Sequence, residues 1–286
     1  MINKDFLQNK IYLSAAEKKY DAASVVLFGV PLDSNSSFRP GARFAPEEIR
    51  KVFESLEDFS PALEKDLNEV SFCDAGDMKV MPGTPLKTLQ QLKVLTKEII
   101  KDNKKTLVIG GDHSVTPPIV EAYTESGYSN LAVIQFDAHL DLRPDYLGEE
   151  NSHACAIYRI LEAGVKNVYQ MGIRSGTKAE FKRARKKTIV YQGSILAPLE
   201  EALQQLGNNP VYITMDIDVV DPAFAPGTGT PEPGGISSST LLKAFSLLKE
   251  FNIVGFDLVE VNPPYDRADI TALLGAKLIR EALLIL

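Results

Sequence analysis

The stretch LAVIQFDAHLDLR, Leu131 to Arg143, opens as an unbroken apolar run and closes as a cluster of acids around one histidine. A short, β-branched run bounded by polar residues reads as a strand. Apolar character at successive positions means that both faces are covered, as in a parallel sheet between layers of helices. Directly after the run, Asp137, His139 and Asp141 alternate. Side chains two apart in an extended chain share a face, so the three can converge. The chain has only three histidines, which makes the placement of one of them here informative.

The same pattern recurs along the chain. Comparable runs are VVLFGV (Val25–Val30), VSFCD (Val70–Asp74), TLVIG (Thr106–Gly110), NVYQMG (Asn167–Gly172), TIVY (Thr188–Tyr191), VYITM (Val211–Met215) and IVGFDLV (Ile253–Val259). With the first, they give about eight predicted strands. Amphipathic segments separate most of them, among them PEEIRKVFESLEDF (Pro46–Phe59), LKTLQQLKVLTKEIIKD (Leu86–Asp102) and STLLKAFSLLKEF (Ser239–Phe251). Pro46 followed by two glutamates is a good helix start. Alternation of strand and helix predicts an α/β fold, a parallel sheet between helical layers. No repeat, low-complexity tract or linker interrupts it, so residues 1–286 are read as one domain.

Ligands of parallel α/β sheets bind beyond the carboxyl ends of the strands. TLVIGGDHS delivers Asp112 and His113 there; LAVIQFDAHLD delivers Asp137, His139 and Asp141; VYITMDIDVVDP delivers Asp216, Asp218 and Asp221; IVGFDLVEVNPP delivers Asp257 and Glu260. Acids packed against buried strand ends are costly unless something cationic compensates them. His113, Asp137, His139, Asp141, Asp216 and Asp218 form a set of two imidazoles and four carboxylates. That is too many ligands for one open catalytic zinc, and it suits a pair of harder divalent ions such as Mn²⁺. Asp221 precedes a proline and reads as a turn or as support for a ligand. Asp112 and Asp257 read as structural.

Composition removes other classes. Net charge is −7, so neither nucleic acid nor an anionic membrane is expected as a general partner. The basic run KRARKK (Lys182–Lys187) reads as a solvated helix end. No apolar run is long enough to cross a bilayer, and the first twenty residues do not look like a signal peptide. Two cysteines, Cys73 and Cys155, make no disulfide framework and suit a reducing cytoplasm.

The motifs GGDHS, FDAHLD, SHA and MDIDVVDPAFAPGTGTPEPGG resemble the ureohydrolases, the family of arginase and agmatinase, and the resemblance runs from RPGARFAPEEIR (Arg39–Arg50) to DLVEVNPPYD (Asp257–Asp266). It implies a three-layer α/β/α fold with about eight parallel strands, two Mn²⁺ ions per subunit, a homotrimer or homohexamer, and a small guanidino substrate. By motif, one ion would take His113, Asp137, Asp141 and Asp216, and the other Asp137, His139, Asp216 and Asp218. The resemblance also implies that Asp141 handles the proton of the attacking hydroxide and that His153, in NSHACAIYRI, shuttles a proton to the leaving amine. Glu260, past the last strand, is placed to orient the guanidinium. Cys155 reads as a packing residue.

RPGARFAP and PGTGTPEPGG are most similar to agmatinases, whose reaction yields putrescine and urea, although Leu140 and Ala154 depart from the usual agmatinase pattern. Asp145, Glu149 and Glu150 read either as favouring a terminal ammonium or as simply solvated, whereas Arg143 would favour an anionic tail such as that of 4-guanidinobutyrate or N-formimino-glutamate. Arginine is a further alternative. Of other classes, a two-metal phosphoesterase wants an Asn-His pair, a single-zinc deacylase wants a His-His pair, and an inactive homologue would lack a ligand, His153 or Glu260.

Overall fold

The computed structural model describes residues 2–8, 12–16, 19–34 and 36–286; the opening segment read above for a signal peptide falls partly outside them. The strands are β1 (Leu7–Gln8), β2 (Val25–Gly29), β3 (Phe59–Ser60), β4 (Lys65–Asp66), β5 (Phe72–Met78), β6 (Lys105–Ile109), β7 (Ala132–Phe136), β8 (Asn167–Met171), β9 (Ile189–Tyr191), β10 (Pro210–Asp216) and β11 (Asn252–Val259). The helices are α1 (Ala45–Phe53), α2 (Pro85–Lys101), α3 (Thr116–Glu125), α4 (Ala156–Glu162), α5 (Lys178–Lys187), α6 (Leu196–Leu206), α7 (Ser238–Leu248) and α8 (Ile270–Ile285).

Each of the eight apolar runs forms a strand, and all eight lie parallel. The sheet nevertheless has nine strands, in the order β1-β5-β2-β6-β11-β10-β7-β8-β9. The ninth, β1, pairs antiparallel with β5 at Leu7↔Met78 and Gln8↔Asp77. Two residues carry no periodicity, so this edge leaves no pattern to read. β3 and β4 form a separate hairpin.

Two apolar cores lie on the two faces of the sheet. One joins α1, α6, α7 and α8, and the other joins α2, α3 and α4. Spacing explains the helices: α1 buries Ala45, Ile49 and Phe53 on one stripe, and α2 buries Leu89, Leu92, Leu95 and Ile99, as amphipathic helices on a sheet must. α1 stops six residues before the predicted end, where the Ser55 hydroxyl bonds the Val52 carbonyl. KRARKK closes α5, with Lys182, Arg185, Lys186 and Lys187 exposed. Among the described residues, no helix is long and apolar enough to cross a membrane.

Strand order positions the site. After β6 the chain lays down β7, β8 and β9 further along the sheet, then returns to insert β10 and β11 between β6 and β7. The four strands whose ends carry the acids and histidines, β6, β11, β10 and β7, are therefore consecutive. The crossover gathers their carboxyl ends where ligand crevices form in open α/β sheets.

Candidate metal centre and pocket

Local sequence aims each side chain. After β6, Gly110 and Gly111 turn the chain under the loop that follows β2. A Cβ on Gly111 would lie 1.8 Å from the Leu32 carbonyl oxygen, so only glycine admits this approach. Asp112 N–H donates to that carbonyl at 2.7 Å. Asp112 caps the short helix His113–Val115, accepting from Ser114 N–H, which fits its structural reading. After β7, Asp141 has φ +50°, and after β11, Glu260 has φ +63°. Left-handed backbone at residues other than glycine carries strain that clusters at functional sites.

The side chains meet at one place. His113 Nδ1 lies 3.2 Å from Asp137 Oδ2, 3.1 Å from Asp141 Oδ2 and 3.4 Å from Asp216 Oδ2. His139 Nδ1 lies 3.5 Å from Asp137 Oδ1 and 2.8 Å from Asp218 Oδ2. Two groups of potential ligands result, His113–Asp137–Asp141 and Asp137–His139–Asp218, with Asp137 common to both. Asp216 adjoins the first group through His113 and supports Asp218 by accepting its N–H at 2.9 Å.

The chemistry of the cluster fits a pair of cations. His113 Nδ1 and Asp218 Oδ2 are buried and make no hydrogen bond among the described residues; the 2.8 Å approach of His139 to Asp218 lacks hydrogen-bond alignment. Buried polar atoms are rarely left so. Burial and the Asp137 charge push the Asp141 carboxyl up to about 7. Burial and the carboxylates of Asp218 and Asp137 hold Asp216 well above the usual range, and burial with the Asp112 charge does the same for Glu260. Burial opposes charge on the imidazoles, yet the surrounding aspartates outweigh it, raising His113 well above its ordinary value and His139 to about 12. Against burial, the same imidazoles depress Asp137. Protons here stand in for positive charge that divalent ions would supply.

Above the cluster opens a cavity of about 310 Å³, whose walls include His139, Asp141, Arg143, His153, Glu180 and Glu260. Glu260 Oε1 accepts the His113 N–H at 2.9 Å. His153 Nε2 lies 3.2 Å from Ser37 Oγ, and its ring is 6.0 Å from that of Tyr146. Arg143 lines the cavity, stacked 4.9 Å over Tyr146 with Nε 3.4 Å from Glu180 Oε2. Asp145, Glu149 and Glu150 point elsewhere: they are exposed and outside the cavity wall. Asp145 accepts from Gly148 N–H and Glu149 from Asn151 N–H, so these acids shape their own loop. Cys155 is fully buried, and burial pushes its thiol up to about 11, which suits packing. Asp221 accepts N–H groups of Ala223, Gly234 and Gly235, as a turn residue does.

Sequence reasoning missed several contributors. Gln135 Nε2 donates to Asp137 Oδ2 at 2.6 Å, and Arg174 Nη2 donates to the Asp218 carbonyl at 2.6 Å. Gln135 stands two residues before Asp137, so the strand period itself could have found it. Ser37 and Thr230 arrive from distant loops, Glu180 from α5 and Tyr146 from the loop that carries Arg143, and no spacing announces them.

The sequence profile described as Arginase family matches residues 23–285. The chain is 43% identical to the agmatinase of Bacillus subtilis over 279 residues, 96% of each chain. It is 39% identical over 268 residues to the N(1)-aminopropylagmatine ureohydrolase of Thermococcus kodakarensis, covering 91% of this chain and 89% of the relative. The crystal structure of the agmatine ureohydrolase of Thermoplasma volcanium superposes with a TM-score of 0.86 at 28% identity, covering 97% of this chain and 94% of that one.

Proposed function

Because the chain belongs to the Arginase family, and is thus a ureohydrolase of a guanidino compound, we propose that its substrate is agmatine, which it hydrolyses to putrescine and urea. The observation that carries the chemistry is the pair of His/Asp groups sharing Asp137, in a family that uses a binuclear metal site. Agmatine as substrate draws its support from the 43% identity to the Bacillus subtilis agmatinase along 96% of the chain.

In this reading His113, Asp137, Asp141 and Asp216 would hold one Mn²⁺, and Asp137, His139, Asp216 and Asp218 would hold the other. When bound, such a pair acidifies water and supplies a strong nucleophile near neutral pH, which the delocalised guanidinium carbon requires. Glu260 Oε1 is fixed by the His113 N–H, leaving Oε2 to pair with a guanidinium N–H and hold the carbon in line. Asp141 accepts the proton released on attack. His153, across the cavity, returns a proton to the departing amine nitrogen. The buried Glu180 carboxylate, 3% exposed in the wall, adds negative potential that suits the terminal ammonium of agmatine. Residues 1–286 act as one catalytic domain.

Arg143 in the same wall favours a second reading, a guanidino or formimino compound with an anionic tail. The test is product release by Mn²⁺-loaded protein: urea from agmatine, arginine and 4-guanidinobutyrate, and formamide from N-formimino-glutamate. Highest kcat/KM on agmatine supports the first reading. Highest kcat/KM on an acid replaces it with the second.

A further inference from the structure

The ring nitrogen of His113 that faces away from the carboxylates is also engaged. His113 Nε2 lies 2.9 Å from Thr214 Oγ1, and Thr214 Oγ1 donates to Asp257 Oδ1 at 2.7 Å. The other oxygen of Asp257 accepts the hydroxyls of Thr116 at 2.9 Å and Tyr212 at 2.7 Å. Asp257 is fully buried. The fold builds this chain of contacts directly: Thr214 on β10 and Asp257 on β11 are partners in the parallel register, and Thr214 stands two residues before Asp216 on the same strand face.

A threonine hydroxyl has one proton. Donated to Asp257, it leaves only lone pairs toward His113, so Nε2 must carry the ring proton. In the neutral ring that binds a cation, Nδ1 then presents its own lone pair to the space it shares with Asp137, Asp141 and Asp216. That arrangement leaves Nδ1, once its proton is displaced, as the nitrogen that coordinates a cation. A histidine that binds a metal through one nitrogen is oriented by the hydrogen bond of the other.

We propose that Asp257, acting through Thr214, is a positioning residue that holds His113 in its Nε2–H form and thereby sets the affinity of the ion His113 holds. The proposal rests on the binuclear reading above. It makes a specific forecast for Asp257→Asn. The hydroxyls of Thr116 and Tyr212 require an acceptor, so the asparagine carbonyl turns to them and its NH₂ faces Thr214. Thr214 then accepts from the amide and gives its proton to His113 Nε2. Nδ1 becomes the protonated nitrogen, which cannot coordinate. Thr214→Val removes the relay, and Thr214→Ser keeps it.

The test is calorimetric titration of metal-free protein with Mn²⁺, with apo thermal melts reporting folding. Wild type and Thr214→Ser bind two ions with similar affinities. Asp257→Asn and Thr214→Val lose affinity at one of the two by ~10–100-fold, the usual effect of removing such a partner. Should Asp257→Asn fail to fold, the Thr214→Val and Thr214→Ser pair decides. With only three imidazoles in the chain, ¹⁵N spectra of Zn²⁺-loaded wild type also read the proton directly, and the proposal places it on His113 Nε2. Two tight ions in Thr214→Val, or a His113 proton on Nδ1, overturns the relay and leaves the binuclear reading standing. A wild type that binds no ion overturns that reading and the relay with it.

Discussion

At the contact of α1 with β5, the five N–H bonds of buried Arg50 meet five acceptors. Asp74 takes two at 2.8 and 2.9 Å, Asp77 one at 2.6 Å, and the carbonyls of Pro46 and Gly76 take the rest. Asp74 also accepts the N–H groups of Leu13 and Gly76. At the carboxyl ends of β6, β7, β10 and β11, four aspartates and Glu260 surround two imidazoles, and buried polar atoms are left without hydrogen bonds among the described residues. Both clusters are buried charge, so burial alone says nothing about function. The first is compensated by the protein's own groups, which is what a structural cluster needs. The second is compensated only if positive charge arrives from outside.

The sharpest way to break that contrast is to remove one member from each. Asp216→Asn keeps the acceptor for the Asp218 N–H and should cost on the order of 10³-fold in urea release, the several kcal/mol that metal polarisation supplies. The metal-free melting temperature should scarcely move. Arg50→Met should do the reverse, costing ~3–5 kcal/mol of stability by stranding two buried carboxylates, as denaturant titration would show. If Asp216→Asn unfolds the protein, or Arg50→Met leaves its stability intact, the two clusters do not differ in kind.

Next in size is Glu260→Gln. The amide oxygen can still accept the His113 N–H, so the change isolates the charge that would face the guanidinium. Loss of a charge-assisted hydrogen bond is worth ~1.5–3 kcal/mol, or about 10–10²-fold in kcat/KM. Unchanged kinetics would remove Glu260 from substrate orientation.

The raised pKa values give a pH signature. The Asp141 carboxyl, at about 7 when folded and metal-free, lies above its unfolded value near 4. Between those values the folded chain holds a proton that the unfolded chain has released, so apo stability falls as pH rises. His139, raised to about 12, acts in the same direction above its unfolded value near 6.5. Bound ions displace these protons, so the gain in melting temperature on adding Mn²⁺ should be larger at pH about 8 than at about 5.5. Equal gains would mean the ions bind elsewhere.

The smallest effect is expected at Arg143. Partly exposed and beside Glu180, it carries a partly screened charge. Arg143→Ala should leave turnover of agmatine unchanged and reduce any activity on 4-guanidinobutyrate by roughly tenfold or less, as for a screened pair. Equal loss on both would rule out a role in choosing the substrate's tail.

Legibility followed the same physics. Strands buried on both faces announce themselves as apolar runs, and the alternating Asp137, His139 and Asp141 stand where an extended chain must aim them at one point. β1 was silent because two edge residues have no period. Thr214 and Gln135 obeyed the same alternation but carry no charge to draw notice. Asp145, Glu149 and Glu150 left two readings open because charge in a loop says nothing about where the loop points; they are exposed. Glu180, an acid from outside the ligand cluster that reaches the wall, forms the capping box of α5 with Thr177, a local signal with a structural meaning of its own.

The measurement closest to the central claim is urea release from agmatine as Mn²⁺ is added back to chelated protein. Activity should be absent at the start, rise with added metal, and saturate at two ions per chain. Full activity in the chelated protein, or two bound ions with no product from any guanidino or formimino substrate, would contradict the account.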